Sequence, residues 1–99
     1  MVTPMMNILL VYDITDDKAR AKIADTCLDY GLDRTQFSAF IGRLTHTLQE
    51  ELFMRLERVL RKSGGGGKIQ LIPICAKDWA ARMEIAQEGE PRPEEASDG

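Results

Sequence analysis

The amino-acid sequence predicts an α+β domain in which an antiparallel sheet carries two helices on one face. The apolar run at residues 7–12 lacks polar alternation, which is typical of a central strand. Two later segments show helical periodicity, and they alternate with runs rich in β-branched and aromatic residues. The resulting order is strand, helix, two strands, helix and strand, which is the split β-α-β pattern.

The chain has the size and composition of a single domain. Its 99 residues are 43% hydrophobic, which is enough to build one core. No apolar run approaches the roughly 18 residues that cross a bilayer, and the first residues lack the features of a secretory signal. Cys27 and Cys75 are far apart and match no metal-binding spacing. We therefore expect a cytoplasmic protein with two buried thiols and no membrane contact.

The net charge of −3 belongs to the end of the chain. Residues 87–99 carry five acidic residues and one basic residue, whereas residues 1–86 carry twelve basic and eleven acidic residues. Residues 1–86 are therefore almost neutral, and we expect them to form the single domain. Residues 87–99 contain two prolines and no large apolar residue, which predicts a disordered acidic tail.

The first helix is predicted to begin a few residues after the first strand. Thr15 is its expected N-cap, and Asp16 and Asp17 then lie in the first turn, where the helix dipole favours negative charge. An apolar stripe continues to Tyr30, and Gly31 is the expected C-terminal cap. The two aspartates are therefore interpreted as charges at the helix N-terminus and not as metal ligands.

Residues 34–44 contain β-prone side chains at alternate positions, but the phase of the alternation slips. The slip predicts a tight turn or bulge near Ser38 that separates two strands. Thr47-Leu-Gln-Glu50 follows and matches a capping box. The apolar stripe behind it extends to Leu60 and predicts the second helix.

The last predicted strand follows a run of four glycines. Residues 64–67 are expected to be a flexible connector, because the first glycine and the Ser or Thr of the phosphate-loop pattern are both missing. Residues 68–75 predict a strand, and Pro73 favours a sheet edge because proline cannot donate to a ladder. Residues 82–86 fit either a short final strand or the end of a helix that begins near Asp78.

This order of elements is typical of ferredoxin-like domains, in which four antiparallel strands carry both helices on one face. The opposite face of the sheet is then left open. In a domain this small, an open face usually binds something, often a second copy of the same chain.

Asp13 decides whether the protein is an enzyme. An ionised aspartate at the carboxyl end of a core strand is a metal ligand, a base or the cap of the next helix, and the residues alone leave all three open. Mg²⁺ prefers six oxygen ligands, so one Asp13 does not hold it tightly. A two-fold dimer would supply a second Asp13 if the strand ends met across the axis.

Two motifs make the chain similar to a known family. Tyr12-Asp-Ile-Thr-Asp-Asp17 ends the first strand, and Arg20 follows it. The second motif is Gly31-Leu-Asp-Arg-Thr-Gln-Phe-Ser-Ala-Phe-Ile-Gly42. Over residues 6–86 this pair of motifs resembles the CRISPR-associated endoribonuclease family Cas2, whose members are the small partners of the CRISPR integrase.

The resemblance implies a homodimer that packs through its open sheet faces, with each C-terminal strand added to the sheet of the partner. It also implies a role in CRISPR adaptation as a metal-dependent endonuclease that hydrolyses RNA or double-stranded DNA with Mg²⁺ or Mn²⁺. The metal-binding, catalytic aspartate of the family corresponds to Asp13. The other matched positions, expected to bind nucleic acid or to support its binding, are Tyr12, Arg20, Lys22, Arg34, Ser38 and Phe40.

Two other functions compete with the nuclease. The protein could be a non-catalytic scaffold that binds nucleic acid and bridges integrase dimers. One candidate catalytic carboxylate per chain is few for a nuclease, which favours this alternative. It could also be an unrelated ferredoxin-like regulatory domain, which would bind no nucleic acid.

The basic residues of the second helix have an alternative explanation without any ligand. Arg55 and Arg61 follow Glu51 and Glu57 by four residues, so intrahelical ion pairs account for both. The basic residues at the matched positions either contact phosphates or lie on a solvated face. Phe40 is expected to pack in the core of the dimer, although stacking on a base remains an alternative.

Overall fold

The fold is a four-stranded antiparallel sheet in the order β2-β3-β1-β4. The computed structural model describes residues 4–89. Their elements are β1 (Met6–Ile14), α1 (Asp17–Asp29), β2 (Asp33–Gln36), β3 (Ala39–Leu44), α2 (His46–Ser63), β4 (Gly67–Ile74) and α3 (Ala76–Ala81). The predicted ferredoxin-like fold is confirmed, with β1 central and β4 at an edge.

β1 separates the covered face of the sheet from the open face. Every second residue from Ile8 to Ile14 is buried, whereas the residues between them are half-buried or exposed. The buried side chains belong to one core with residues of both long helices, including Ile23 of α1 and Leu52 and Leu56 of α2. Burying one large aliphatic side chain stabilises a fold by about 1.5–3 kcal/mol, so this helix-on-sheet layer is the main source of stability.

The centre of the opposite face of the sheet is apolar, and polar side chains lie beside it, with Gln70 opposite Val11 and Arg43 opposite Asn7. Leu9 pairs with Ile41 of β3 and with Ile72 of β4, so three aliphatic side chains lie side by side there. Val11 lies two residues further along β1 and shares this face. Ile72 is 40% exposed, and the other three residues are half-buried. Leu9, Val11, Ile41 and Ile72 define the open sheet face.

α1 begins one residue later than predicted. Its N-cap is Asp16, whose carboxylate accepts a hydrogen bond from the Ala19 N–H at 2.8 Å. Thr15 instead donates its hydroxyl to the Gly66 carbonyl at 3.0 Å. The Thr15 hydroxyl thus contacts the loop before β4, and the Asp16 carboxylate caps the helix instead.

α2 begins two residues earlier than the predicted capping box. Its N-cap is Thr45, whose hydroxyl accepts a hydrogen bond from the Leu48 N–H at 3.2 Å. Thr45 directly follows the end of β3 at Leu44, so the helix starts as soon as the strand ends. The buried Gln49 side chain stabilises this junction by donating to the Leu44 carbonyl at 3.2 Å.

The glycine run connects α2 to β4 and contacts the residues just before α1. Gly64 ends α2 in the left-handed region, with φ of 72°. The Gly66 carbonyl also accepts the backbone N–H of Thr15 at 3.2 Å. Gly67 opens β4 so close to β1 that a Cβ there would lie 2.7 Å from the Asp13 carbonyl oxygen.

The described chain ends in the short helix α3 and an irregular segment. α3 ends at Ala81 with Arg82 as its C-cap, and residues 83–86 form neither helix nor paired strand within this chain. Cys27 is buried as predicted, but Cys75 is exposed at the N-cap of α3, so the prediction of two buried thiols is wrong. Residues 90–99 of the predicted tail lie outside the described part. No described helix is long and apolar enough to span a membrane.

Candidate metal and nucleic-acid site

Asp13 lies at the carboxyl end of the central strand, and its side chain shares the open sheet face. It is exposed, and its cross-strand neighbour is Lys68 of β4. The three ion pairs found within residues 4–89 do not include it. Because Asp16 caps α1, the interpretation of Asp13 as the helix cap is wrong. Its interpretations as a ligand and as a base both remain.

One chain offers few ligands for a metal ion. Between residues 4 and 89, no three His, Cys, Asp or Glu side chains lie together as a possible metal site. A carboxylate oxygen such as that of Asp13 is the ligand type that Mg²⁺ and Mn²⁺ prefer. The donor set of Asp13 therefore fits a divalent cation when a second chain, water or phosphate supplies the remaining oxygens.

Tyr12 and Phe40 contact Arg34 from the buried side of the sheet. The Tyr12 hydroxyl accepts a hydrogen bond from Arg34 Nη2 at 3.4 Å. Phe40 is completely buried, stacks on Tyr12 with ring centroids 6.3 Å apart, and has the Arg34 Cζ 5.2 Å above its ring. Phe40 packs in the core of its own chain, so the expected position in a dimer core is wrong, and its burial excludes direct stacking on a base. Tyr12 is also buried, so both rings can act only through Arg34.

The turn between β2 and β3 brings two arginines together. Arg20 pairs with Asp17 and donates Nη1 to the Ile14 carbonyl at 3.0 Å, which fixes its guanidinium near the end of β1. The Cζ atoms of Arg20 and Arg34 lie 6.0 Å and 5.7 Å from the ring centroid of Phe37. Ser38 follows in the same turn, where its carbonyl accepts the Tyr12 N–H at 3.1 Å. Arg20, Arg34 and Phe37 are called the turn cluster.

Sequence reasoning did not single out Phe37. The sequence signal was the break in the alternation of side chains between the two strands. Such a break allows Phe37 and Phe40 of one hairpin to differ in burial. Phe40 is buried, whereas 72% of Phe37 is exposed. An exposed aromatic ring between two arginines is therefore a feature that only the folded hairpin reveals.

Lys22 does not join the turn cluster. It lies in a groove of about 590 Å³ between α1 and α2. The cations that line this groove are Lys18 and Lys22 of α1 and Arg55, Arg58 and Lys62 of α2. None of the five belongs to an ion pair found among the described residues, and the carboxylate of Asp16 in the groove already caps α1. These five cations define the basic groove.

Only one of the two predicted ion pairs on α2 forms. Arg61 pairs with Glu57 at 3.0 Å, as predicted. Glu51 instead accepts a hydrogen bond from the Tyr30 hydroxyl, and Arg55 lies over the Tyr30 ring with its Cζ 5.7 Å from the centroid. Desolvation and then the hydrogen bond to Glu51 raise the pKa of Tyr30. Arg55 therefore keeps its charge available to the basic groove.

The fold and the site define a class of small ferredoxin-like proteins with an aspartate at the end of the central strand and arginines beside it. Residues 6–82 match the family model described as CRISPR associated protein Cas2. The chain belongs to this family, and the resemblance seen in the sequence motifs is confirmed.

Known relatives cover nearly the whole chain. The chain is 41% identical over 93 residues to the CRISPR-associated endoribonuclease Cas2 of Desulforudis audaxviator, which covers 94% of this chain and 85% of the relative. It is 50% identical over 88 residues to a CRISPR-associated endonuclease Cas1/endonuclease Cas2 fusion of Thermoproteus tenax, covering 89% of this chain and 31% of the fusion. The crystal structure of Streptococcus pyogenes Cas2 superposes with a TM-score of 0.66 at 25% identity, covering 83% of this chain and all of that one.

Proposed function

We propose that the protein is a homodimeric phosphodiesterase of CRISPR adaptation that cuts RNA or DNA in the cytoplasm with Asp13 and a divalent cation. The observation that carries this proposal is the exposed Asp13 carboxylate at the edge of an apolar, uncovered sheet face. Because the relative from Desulforudis audaxviator is named an endoribonuclease, single-stranded RNA is the first substrate to test.

The open sheet face supports the dimer. Packing this face against a second copy would remove its aliphatic side chains from water, which is favourable by about 25 cal/mol for each Å² of apolar surface. Two chains packed in this way would also bring a second Asp13 carboxylate to the strand ends. The dimer would thus provide the second oxygen donor that a divalent site needs.

The segment after α3 supports the exchange of a strand between chains. Met83 and Ile85 stand at alternate positions and are 96% and 97% exposed, which is the period of a strand with one apolar face. β4 is paired only with β1 in the described chain, so its outer edge is available. Residues 82–86 would add to the β4 edge of the partner and cover the two side chains.

Each residue of the site would have a separate task. Asp13 would hold the divalent cation, which when bound supplies positive charge to stabilise the phosphodiester transition state. Arg20 and Arg34 would bind the substrate phosphates beside the strand end, because guanidinium groups bind phosphate oxygens through two parallel hydrogen bonds. Tyr12 and Phe40 would keep Arg34 in place, and Ser38 would hold the turn through its carbonyl.

The first prediction concerns cleavage by the Asp13→Ala variant. Labelled single-stranded RNA and double-stranded DNA are incubated with each protein in Mg²⁺, Mn²⁺ or EDTA. We expect cleavage that needs the metal and falls at least about 100-fold in the variant, because the cation and its charge stabilisation are lost. Asp25→Ala, which removes an exposed carboxylate of α1, is the matched control and should cut like wild type. Equal cleavage by all three proteins, or cleavage in EDTA, would contradict the proposal.

The basic groove favours a second function, that of a scaffold for duplex nucleic acid. Five cations without ion pairs among the described residues suit a phosphate backbone, and they are gathered in one groove of a domain that is almost neutral as a whole. The fusion from Thermoproteus tenax joins Cas1 and Cas2 in one chain, so a Cas1 integrase is the proposed partner. As a scaffold, the Asp13→Ala variant would keep duplex and integrase binding, whereas charge reversal in the basic groove, by Arg58→Glu with Lys62→Glu, would lose duplex binding.

A further inference from the structure

Phe37 is a large aromatic side chain that the fold does not use. It lies in the turn between β2 and β3, and 72% of the residue is exposed. Its carbonyl accepts the Tyr12 hydroxyl at 3.5 Å, but this contact requires no phenyl ring. The ring is absent from the hydrophobic core of the described residues, in contrast to the buried Phe40 three positions later.

The surroundings of Phe37 are cationic. The Arg20 and Arg34 guanidinium groups lie within about 6 Å of the ring centroid, which is the range of cation–π attraction. Arg20 donates a hydrogen bond to the Ile14 carbonyl, and Arg34 donates one to the Tyr12 hydroxyl. Both guanidinium groups are therefore held by residues of β1. The turn cluster therefore presents an exposed aromatic ring flanked by two guanidinium groups, each held by a hydrogen bond to β1.

We propose that Phe37 stacks on an unpaired base of a single-stranded nucleic acid whose neighbouring phosphates are bound by Arg20 and Arg34. Stacking between a base and an aromatic side chain, together with a cationic track for the backbone, is how proteins bind single strands without sequence preference. The inference rests on the proposed function for the substrate class, and it adds a residue that selects single strands.

The selectivity follows from the geometry of base stacking. In a duplex, both faces of an internal base are covered by its neighbours, so Phe37 would have no free face to stack on. In a single strand, one face can be transferred to the phenyl ring. Loss of the ring should therefore weaken single-strand binding and leave duplex binding unchanged.

The test measures binding without cleavage. A single-stranded RNA with one 2-aminopurine, and a duplex that contains the same strand, are titrated with protein in EDTA. Wild type is expected to change the 2-aminopurine emission on the single strand, as stacking does. We expect Phe37→Leu to bind the single strand about tenfold more weakly, within the range known for loss of one stacking side chain. Phe37→Trp should restore the affinity and the emission change.

The matched control is Phe53→Leu, which makes the same chemical change at another partly exposed ring, 39% exposed on α2. It should bind both probes like wild type. Light scattering of Phe37→Leu at the same concentrations should give the mass of wild type.

Three results would overturn the proposal. In the first, Phe37→Leu binds the single strand like wild type. In the second, it weakens single-strand and duplex binding equally, which would mean that Phe37 only positions the arginines. In the third, it changes the mass, which would assign Phe37 to a protein interface. The binding assay contains no metal, so it is independent of cleavage. If Asp13→Ala loses cleavage but still changes the 2-aminopurine emission, the nuclease site and the stacking site are separate. If Phe37→Leu binds the single strand like wild type while Asp13→Ala loses cleavage, only the stacking proposal fails.

Discussion

Cys27 and Cys75 are thiols in opposite environments. Cys27 is completely buried between α1 and the sheet, and this burial raises its pKa to about 12, partly offset by the nearby charge of Arg34. Cys75 is exposed at the start of α3, where its sulfur accepts the Asp78 N–H at 3.4 Å. The thiolate is the reactive form of cysteine, so the two residues should differ strongly in reactivity.

We predict that one thiol of the folded protein reacts quickly with Ellman's reagent at pH 8 and that the second reacts only after unfolding. The fast thiol is Cys75, because Cys27 is both inaccessible and protonated at that pH. Absorbance at 412 nm, followed with and without guanidinium chloride, counts the two classes. Cys75→Ser is the control and should abolish the fast phase. Two fast thiols in the native protein would contradict the buried position of Cys27.

The raised pKa of Cys27 also predicts a loss of stability in alkali. In the unfolded chain the thiol ionises near pH 9.0, whereas in the fold it stays protonated until pH is about 12. Between these values the folded state binds more protons, so the free energy of unfolding falls as pH rises. Urea unfolding at pH 8, 9 and 10 should show this fall, and its slope should be smaller in Cys27→Ala. An equal slope in that variant would contradict the assignment.

Gly67 allows the close approach of β4 to the strand end that carries Asp13. A Cβ at this position would lie 2.6 Å from Ile14 Cδ1 and 2.7 Å from the Asp13 carbonyl oxygen, and the backbone oxygen cannot move aside. We predict that Gly67→Ala lowers the free energy of unfolding by about 1–3 kcal/mol. Gly66→Ala is the control, because nothing lies within 4 Å of its added methyl group and its φ is not positive. Equal urea midpoints for the two variants would show that the approach is not tight.

At the scale of elements, α1 and α2 together create a surface that neither helix has alone. Lys18 and Lys22 from α1 face three cations of α2 across the basic groove. Each phosphate contact made by such a cation releases counterions from the duplex, so binding should weaken steeply as salt rises.

We predict that Arg58→Gln with Lys62→Gln lowers the slope of log affinity against log salt for duplex DNA by up to about two. Arg61→Gln is the matched control, since Arg61 already pairs with Glu57 on the same helix and should affect the slope less. Fluorescence anisotropy at four salt concentrations measures both. If the double variant keeps the wild-type slope, the duplex does not lie in this groove.

The sequence predicted the elements better than their ends. Hydrophobic patterning is a property of each segment, so β1 and both long helices were predicted correctly, and Pro73 correctly indicated the edge position of β4. The start of a helix depends on which of several neighbouring hydroxyls and carboxylates is free to accept a hydrogen bond from the first turn. The Thr15 hydroxyl instead donates to the carbonyl of Gly66, which follows α2 in the chain. That contact joins residues 51 positions apart, and no local pattern encodes it.

The sequence supplied candidate site residues, and the structure shows which of them lie together. The matched motif supplied Asp13, Arg20 and Arg34, which the fold gathers near one end of β1. Lys22 was assigned to the same group, yet two residues along a helix is about 200° of rotation, so it faces the basic groove instead. The exposed position of Phe37 depends on the turn geometry, which the slip in alternation signalled but did not resolve.

At the scale of the whole molecule, function should depend on the association of two chains. We predict that Ile41→Asp, which places a charge in the open sheet face, gives a folded monomer without nuclease activity although Asp13 is intact. Leu28→Asp is the control, because Leu28 is 54% exposed on α1, away from that face. Circular dichroism checks folding, light scattering checks mass, and the RNA assay checks cleavage. A fully active monomer would contradict the shared site.

β1 gives the protein an unusual sensitivity to length. Its even-numbered side chains from Ile8 to Ile14 build the core, while its odd-numbered ones carry Asp13 and half of the open sheet face. Inserting or deleting one residue within the strand would exchange the two sets, burying the carboxylate and exposing the core. Substitutions can therefore alter this strand one face at a time, but a change of a single codon in its length would disrupt both of its faces together.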